Sequence, residues 1–340
     1  MPTDAAADAS EGDPRARARS TLRRRLWGVA QIAVGLGLLA WLLRDVEFAE
    51  LRALLARGDR VGLAAGFALL LCALPLLQAL RLHVLVVPYT RRLASSFEVF
   101  FVGAFFNNFL PSNLGGDAVR LLYLRRLTTS DWGGPLAMLL LHRASSFAVL
   151  LAGALISLPL RREALVVAFR GQSTLPRWLV PATFVAVGAA VLALAVVAAW
   201  PRLRRKLVAI ARRLGTESLA ALRQTSHRSL AALALLSILF HASRMFGVVV
   251  LLGALGAHAH PLDVLIGLAV SGFAVVLPLS VGGLGVMEGA LSMTLVAFGI
   301  PATAAIAVAL VNRTVLLLNA GIGGVVYLGS RRELRALKSA

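Results

Sequence analysis

The sequence has little cysteine, little charge and few aromatic residues. Its 340 residues include one cysteine, Cys72, and only 15% are Asp, Glu, Lys or Arg. A single cysteine excludes an intramolecular disulfide framework, and so little charge is atypical of a water-soluble domain. Aromatic residues make up 7%. The basic clusters therefore lack the stacking platforms of a nucleic-acid surface, and we expect no nucleic-acid partner despite a net charge of +19.

Motifs for cofactors and catalysis are also missing. The sequence has no phosphate-binding P-loop, no dinucleotide fingerprint and no nucleophile elbow. His258 and His260 lie in "GAHAHP" but lack further ligands at a useful spacing, so they make a weak metal site. We therefore expect no cofactor, no metal site and no catalytic residue, which favours a transporter over an enzyme.

Hydrophobic residues are abundant, at 59% of the chain. About 20 helical residues cross the hydrocarbon core of a bilayer. Apolar runs near that length cover residues 27–43, 61–80, 135–160, 178–200, 230–255 and 303–328. The sequence therefore predicts an all-α polytopic membrane protein with about six transmembrane helices.

The basic residues predict the orientation. Residues 1–24 read as a disordered basic tail, and residues 331–340 form a second basic tail. Lys and Arg collect on the cytoplasmic side of membrane proteins, so we place both tails there. Because no small-residue cleavage site follows residues 27–43, we expect that run to be retained as a signal anchor. The expected location is the cell (inner or plasma) membrane.

Two further apolar segments, near residues 97–124 and 262–300, are interrupted at their centres. Each contains a proline, Pro111 or Pro278, followed by a pair of glycines. Irregular backbone at membrane depth is tolerated only when it is buried in protein or lines a watery cavity. We predict two re-entrant hairpins, the first entering from the cytoplasm and the second from outside.

The two interruptions resemble each other. "LPSNLGGDAV" (110–119) and "LPLSVGGLGV" (277–286) share the pattern L-P-x-x-x-G-G-x-x-V. Arg81 and Arg143 in the first half correspond to Arg244 and Arg313 in the second. Because the halves begin on opposite sides, residues 25–170 and 171–330 are predicted to be inverted repeats. In transporters built this way, the ligand site lies near the midplane where the repeats meet.

The predicted substrate site combines intramembrane arginines with the polar hairpin residues. A central Arg costs about 2.5–3.5 kcal/mol on insertion scales, so such residues face a cavity or a counter-ion. An anionic ligand would balance them; the alternative is pairing with Asp117 or Glu288. The predicted binding residues are Arg143, Arg244, Arg313, Arg120, Asn108, Asn113, Gly115, Gly116, Gly282 and Gly283.

Three further polar residues are candidates for coupling or gating. Asp117 and Glu288 each follow a glycine pair, and His142 precedes Arg143. The acids pair alternately with the arginines in one interpretation and only stabilise helix N-termini in the other. His142 either shuttles a proton or makes a polar contact.

These motifs resemble a known family. "FFNNFLPSNLGGDAVRLLYL", "LHRASSFAVLL" and "PLSVGGLGVMEGAL" are similar to the flippase-like transmembrane region of lysylphosphatidylglycerol synthases. The resemblance implies lipid flipping and covers the flippase part alone, without the aminoacyltransferase domain of bifunctional members. Two departures, His142 in place of Asp and Met287 in place of Arg, point to a different head group or coupling ion.

The sequence therefore predicts a translocase for an anionic lipid, either a phospholipid or a polyprenyl-phosphate lipid. A separate synthase or glycosyltransferase would be a natural partner. The alternatives are a membrane-embedded transferase acting on polyprenyl-linked or phospholipid substrates, a carrier of a small anionic solute, and a scaffold that recruits partners.

Overall fold

The computed structural model describes residues 14–44, 47–109, 115–128, 132–169, 225–275 and 280–339. Every regular element in these ranges is helical. The helices are α1 (Pro14–Leu43), α2 (Phe48–Arg57), α3 (Arg60–Val86), α4 (Leu93–Phe109), α5 (Gly115–Thr128), α6 (Gly133–Leu160), α7 (Arg162–Phe169), α8 (His227–Ala254), α9 (Pro261–Ala274), α10 (Val286–Ala297) and α11 (Ala302–Ser339). A 3₁₀ turn, Val281–Gly283, lies between α9 and α10.

Four of these helices, α3, α6, α8 and α11, are long and apolar enough to cross a membrane. The end of α1 and α2 meet at a bend of 72° and would together make a fifth span. Run 178–200 lies outside the described residues. The prediction of an all-helical, multi-pass membrane protein is confirmed, and the count of six spans stays a prediction.

Both predicted tails are helical where the structure describes them, whereas residues 1–24 were expected to be disordered. Helix α1 begins at Pro14, so residues 14–24 are helical, and α11 continues through residues 331–339. The reason is composition, because Ala, Arg and Leu are strong helix formers and fill "RARARSTLRRR" and "RRELRALK". Residues 1–13 lie outside the described ranges.

Helices α3 and α8 run antiparallel and pack against each other. Asp59 caps α3 by accepting hydrogen bonds from Val61 and Gly62, while its own N–H donates to the carbonyl of Ala254 at the end of α8 at 2.9 Å. Glycines allow close approach, since Gly66 lies against Leu251. Their contact faces form much of a core that extends into α9, α10 and α11.

Each interrupted segment folds back on itself. Helices α4 and α5 have 17 and 14 residues, and α9 and α10 have 14 and 12, all shorter than a full crossing. The contacts are antiparallel: Phe100 is bonded to Arg120, and Asn107 to Gly116. In the second pair, Ser271 donates to the carbonyl of Met287 at 3.1 Å. We call these pairs hairpin 1 (α4–α5) and hairpin 2 (α9–α10).

The hairpins begin at opposite ends of α6. This helix follows hairpin 1 along the chain, and its 28 residues extend about 42 Å. At its far end, Arg161 binds Asp263 in the first turn of α9 through two hydrogen bonds of 2.6 and 2.7 Å. Helix α11 connects the same two ends in the opposite direction. It begins after hairpin 2 and reaches the start of hairpin 1, where Ser330 donates to Glu98 of α4 at 2.6 Å.

The order of helices repeats along the chain. A long helix, a hairpin of two short helices and a second long helix occur as α3 to α6 and again as α8 to α11. This order agrees with the last three elements of each predicted repeat, while the helix predicted at 178–200 to begin the second half lies outside the described residues. The boundary near residue 170 borders the range 170–224, which the structure does not describe, so the inverted relationship of residues 25–170 and 171–330 stays a prediction.

Candidate functional site

Asp117 is the centre of a charged cluster in hairpin 1. It lies in the first turn of α5, where a carboxylate is favoured by the helix dipole, and is 6% exposed. Arg120 donates to its Oδ1 at 3.3 Å, and Arg143 of α6 forms an ion pair with its Oδ2. One carboxylate therefore holds two guanidinium groups, and the cluster carries one net positive charge.

Arg120 also ties the two helices of hairpin 1 together. Its Nη2 donates to the carbonyl of Phe100 at 3.5 Å, and its guanidinium lies 5.6 Å from the Phe100 ring centroid. Gly103 lies beneath the side chain, where a Cβ atom would overlap it. The Nε of Arg120 is buried without a hydrogen-bond partner. Arg120 therefore both packs the hairpin and keeps one unused donor.

The asparagines of hairpin 1 bond to backbone. Asn107 accepts from the N–H of Gly116 at 3.0 Å, and Asn108 donates to the carbonyl of Ala104 at 3.0 Å. A Cβ atom on Gly116 would overlap the Asn107 side chain. Gly116 therefore allows close helix packing here, and its role in substrate binding stays a prediction.

Glu288 has the corresponding place in hairpin 2. It is 3% exposed in the first turn of α10, and its Oε2 accepts from the N–H of Gly285 at 2.8 Å. Its Oε1 pairs with Nε of Arg313, which comes from α11. Nη1 of Arg313 donates to the carbonyl of Gly282 at 3.0 Å. Glu288 therefore caps helix α10 and pairs with an arginine at the same time.

The tips of the hairpins touch. A Cβ atom on Gly282 would lie 3.2 Å from Cα of Asn108 and 3.4 Å from the carbonyl oxygen of Asn107. Gly282, Gly283 and Gly285 have φ values of +60°, +69° and +76°, a region that favours glycine. The glycines predicted to line a cavity thus make the turn through which hairpin 2 reaches hairpin 1.

Beside Glu288 and Arg313 lies a small pocket that also includes Arg244 of α8 and Asn312 of α11. It has space for roughly one water molecule. Among the described residues, Arg244 has no ion pair and no hydrogen bond. We call this space the α8–α11 pocket.

Arg81 is a buried arginine that was not among the predicted binding residues. It is 0% exposed, and its guanidinium donates to four oxygens of α3, α6 and α8. These are Oγ of Ser237, Oε1 of Gln78, the carbonyl of His142 and Oγ of Ser145. Its correspondence to the intramembrane Arg244 was the sequence signal that it lies inside the bundle. Arg81 fastens three helices together.

His142 lies next to this cluster. It is 8% exposed, its Nε2 lies 3.4 Å from the carbonyl of Gln78, and its own carbonyl accepts from Arg81. His260 accepts from the N–H of Leu262 at 3.2 Å and caps α9. The predicted coupling role of His142 stays a prediction.

Five of the predicted residues make no described contact with a charged group. Pro111, Asn113 and Pro278 lie outside the described residues. Gly115 begins α5 and is half-buried. Gly283 lies against Val275 and Met287, where a Cβ atom would be 2.7 Å from the former.

The family model described as the lysylphosphatidylglycerol synthase TM region matches residues 28–323, which include both hairpins and both charged clusters. The chain belongs to this family. A search of the curated proteins and a search of the solved structures found no match. Family membership and the long apolar helices identify a multi-pass membrane protein related to lipid handling.

The two residues that the sequence analysis expected to depart from the family, His142 and Met287, have a defined place in the structure. His142 contacts the Arg81 cluster through its carbonyl, and Met287 lines the α8–α11 pocket beside Glu288. Of these two residues, Met287 is the one that lies near an arginine without an ion pair in the described residues, because Arg244 lines the same pocket.

Proposed function

We propose that this member of the family is a lipid translocase and not an enzyme. It would move an anionic, phosphate-containing lipid between leaflets, with the head group passing between the hairpins and the tails remaining in the bilayer. The observation that carries the proposal is the contact of Gly282 with Asn108, where hairpins that begin at opposite ends of α6 meet.

The charges at the hairpins support an anionic substrate. Asp117 pairs with Arg120 and Arg143, while Glu288 pairs with Arg313 and has Arg244 across the pocket. Each side therefore has two arginines for one acid. In an apolar surrounding, such an excess is stabilised by an anion, and guanidinium groups bind phosphate oxygens in a bidentate manner.

One backbone N–H at each hairpin's helix N-terminus is already bonded to a side chain, so we take the arginines as the main anion ligands. The N–H of Gly116 is bonded to Asn107, and that of Gly285 to Glu288. A phosphate would thus compete with Asp117 or Glu288 for the arginines. Exchange of partners by Arg143 and Arg313 would couple passage of the head group to rocking of one hairpin against the other.

The alternatives make different demands on the chain. A transferase would need catalytic groups and a donor site, and the acids in the two clusters are already bonded to arginines. A carrier of a small anion would use the same charges but would not act on lipid. The substrate of a translocation assay separates these activities.

The test is a proteoliposome assay with fluorescent phosphatidylglycerol, in which dithionite quenches label in the outer leaflet. We expect wild-type protein to increase the quenched fraction beyond half, and Arg143→Ala to slow exchange about tenfold through loss of a charge-assisted hydrogen bond. Arg125→Ala is the matched control, because Arg125 is exposed and lies over the Trp132 ring.

Equal rates with protein-containing and empty vesicles would refute the translocase proposal. Arg143→Lys keeps the charge and tests whether loss of activity reflects misfolding, which the elution volume and melting temperature of each variant also report. Release of a transferred sugar or aminoacyl group by the purified protein would favour the transferase instead.

A further inference from the structure

The α8–α11 pocket contains polar groups that no described residue satisfies. Nη2 of Arg313 and Nδ2 of Asn312 are buried without a hydrogen-bond partner, in side chains of residues that are 6% and 7% exposed. Arg244 has neither an ion pair nor a hydrogen bond in the described part of the chain, and it lines the same space. Unmade hydrogen bonds of buried donors are costly, so the two buried donors beside the partly exposed Arg244 indicate a missing acceptor.

The corresponding position in the first half shows what a purely structural arginine looks like here. Arg81 corresponds to Arg244 and is held by four hydrogen bonds that fasten α3, α6 and α8. His142 contributes its carbonyl to Arg81, whereas Asn312, at the corresponding place, leaves its amide unused. In the described part of the chain, Arg244 therefore lacks hydrogen bonds of the kind by which Arg81 joins helices.

The charge of the pocket limits its ligand. Arg244 and Arg313 contribute two positive charges and Glu288 one negative charge, and no other residue that lines the pocket is charged. A monoanion would bring the pocket to neutrality, whereas a dianion would leave buried negative charge. The unused donors come from two helices and can surround an oxyanion with more than one free oxygen.

We propose that Arg244, Asn312 and Arg313 together bind one monoanionic phosphodiester, the group that links the head group of a translocated lipid. The choice of phosphate over carboxylate rests on the proposed function. The pocket holds space for roughly one water molecule, so it must widen when the phosphate enters. Met287 lines it, and a flexible thioether side chain can move without breaking a hydrogen bond.

The test measures binding to full-length protein in a non-ionic detergent by titration calorimetry. The probes are dihexanoyl phosphatidylglycerol below its micelle concentration, tail-free glycerophosphoglycerol, and hexanoate as a carboxylate. Arg244→Gln and Asn312→Ala remove donors, and Arg125→Gln is the exposed-charge control. We expect roughly tenfold weaker phosphatidylglycerol binding in Arg244→Gln and a smaller loss in Asn312→Ala, with unchanged affinity in the control.

Unchanged affinity in both pocket variants would overturn the site, and hexanoate binding as tight as that of phosphatidylglycerol would overturn the choice of phosphate. Because Arg244 has no ion pair or hydrogen bond with the described residues, Arg244→Gln is expected to keep the wild-type melting temperature, which excludes misfolding as the cause of lost binding. Tight, Arg244-dependent binding of glycerophosphoglycerol without lipid exchange in vesicles would support the pocket and refute the translocase. If wild-type protein exchanges lipid in vesicles and Arg244→Gln binds phosphatidylglycerol as tightly as wild type, the phosphate site would be refuted and the translocase proposal would stand.

Discussion

Gly282 in hairpin 2 lies against Asn108 in hairpin 1, and this contact joins the two interrupted segments. A Cβ atom on Gly282 would lie 3.2 Å from Cα of Asn108, and its φ of +60° is one that other residues adopt at a cost. The carbonyl of Gly282 also accepts from Arg313. One residue thus combines a tight turn, a contact between hairpins and an arginine ligand.

Gly282→Ala is therefore expected to weaken both the fold and lipid exchange. The left-handed backbone alone costs about 1–2 kcal/mol in an L-residue, and the added methyl presses on Asn108. The melting temperature in detergent and the exchange rate in vesicles measure the two effects. Gly289→Ala is the control, since that glycine is in α10 with open space around it and should be neutral or slightly stabilising. Equal behaviour of the two variants would contradict the contact.

Glu288→Ala should be among the most destabilising single changes in the second half. It removes the acceptor for the N–H of Gly285 and leaves Arg313 buried without its partner. Loss of one member of a buried pair costs about 3–5 kcal/mol. Equilibrium unfolding in mixed micelles measures the loss. Adding Arg313→Met to Glu288→Ala should recover part of it, and a double variant no more stable than the single one would show that the pair is not what stabilises the hairpin.

Arg81 and Arg244 are expected to respond in opposite ways to the same substitution. Arg81→Met deletes four hydrogen bonds and leaves Ser237, Ser145 and Gln78 without their donor, so we expect a loss of several kcal/mol. Arg244→Met removes a charge that has no described partner and should leave stability unchanged or increase it. Thermal unfolding of the purified variants gives the comparison. Similar losses in both would mean that Arg244 also fastens the fold.

The bond between Arg161 and Asp263 offers a way to hold hairpin 2 in place. It joins the end of α6 to the start of α9 through two hydrogen bonds of 2.6 and 2.7 Å. We expect cysteines at both positions, in a Cys72→Ser background, to stop lipid exchange when joined by a short reducible cross-linker. Extraction of fluorescent short-chain lipid by albumin measures exchange before and after reduction.

The control for that experiment is the chain with Cys72 alone, treated with the same cross-linker. Its exchange rate should not change, because Cys72 has no second cysteine in the same chain to join. Cross-linked protein that exchanges lipid at the wild-type rate would show that hairpin 2 does not need to move against α6.

The hairpins could be predicted because their signal is local. Proline and paired glycines interrupt apolar runs, and both features act through the backbone of the residue itself. The pairing of Asp117 and Glu288 with arginines was also considered, as the alternative to an anionic ligand that balances the arginines. The correspondence of Arg81 to Arg244 indicated a place inside the bundle, but its hydrogen-bond partners could not be predicted, since Ser237 and Ser145 are far along the chain and carry no sequence signal for an arginine.

The sequence by itself determined that this protein is a helical membrane protein with two interrupted segments. The physical reason is that lipid offers no hydrogen bonds, so long apolar runs must be helical and breaks must be shielded. Only the tertiary structure decided which of the intramembrane arginines have hydrogen-bond or ion-pair partners and which one has none among the described residues. Hydrogen bonds and ion pairs depend on distances between side chains of different helices. These distances give Arg81 four hydrogen bonds, while Arg244 faces a pocket without a partner in the described residues.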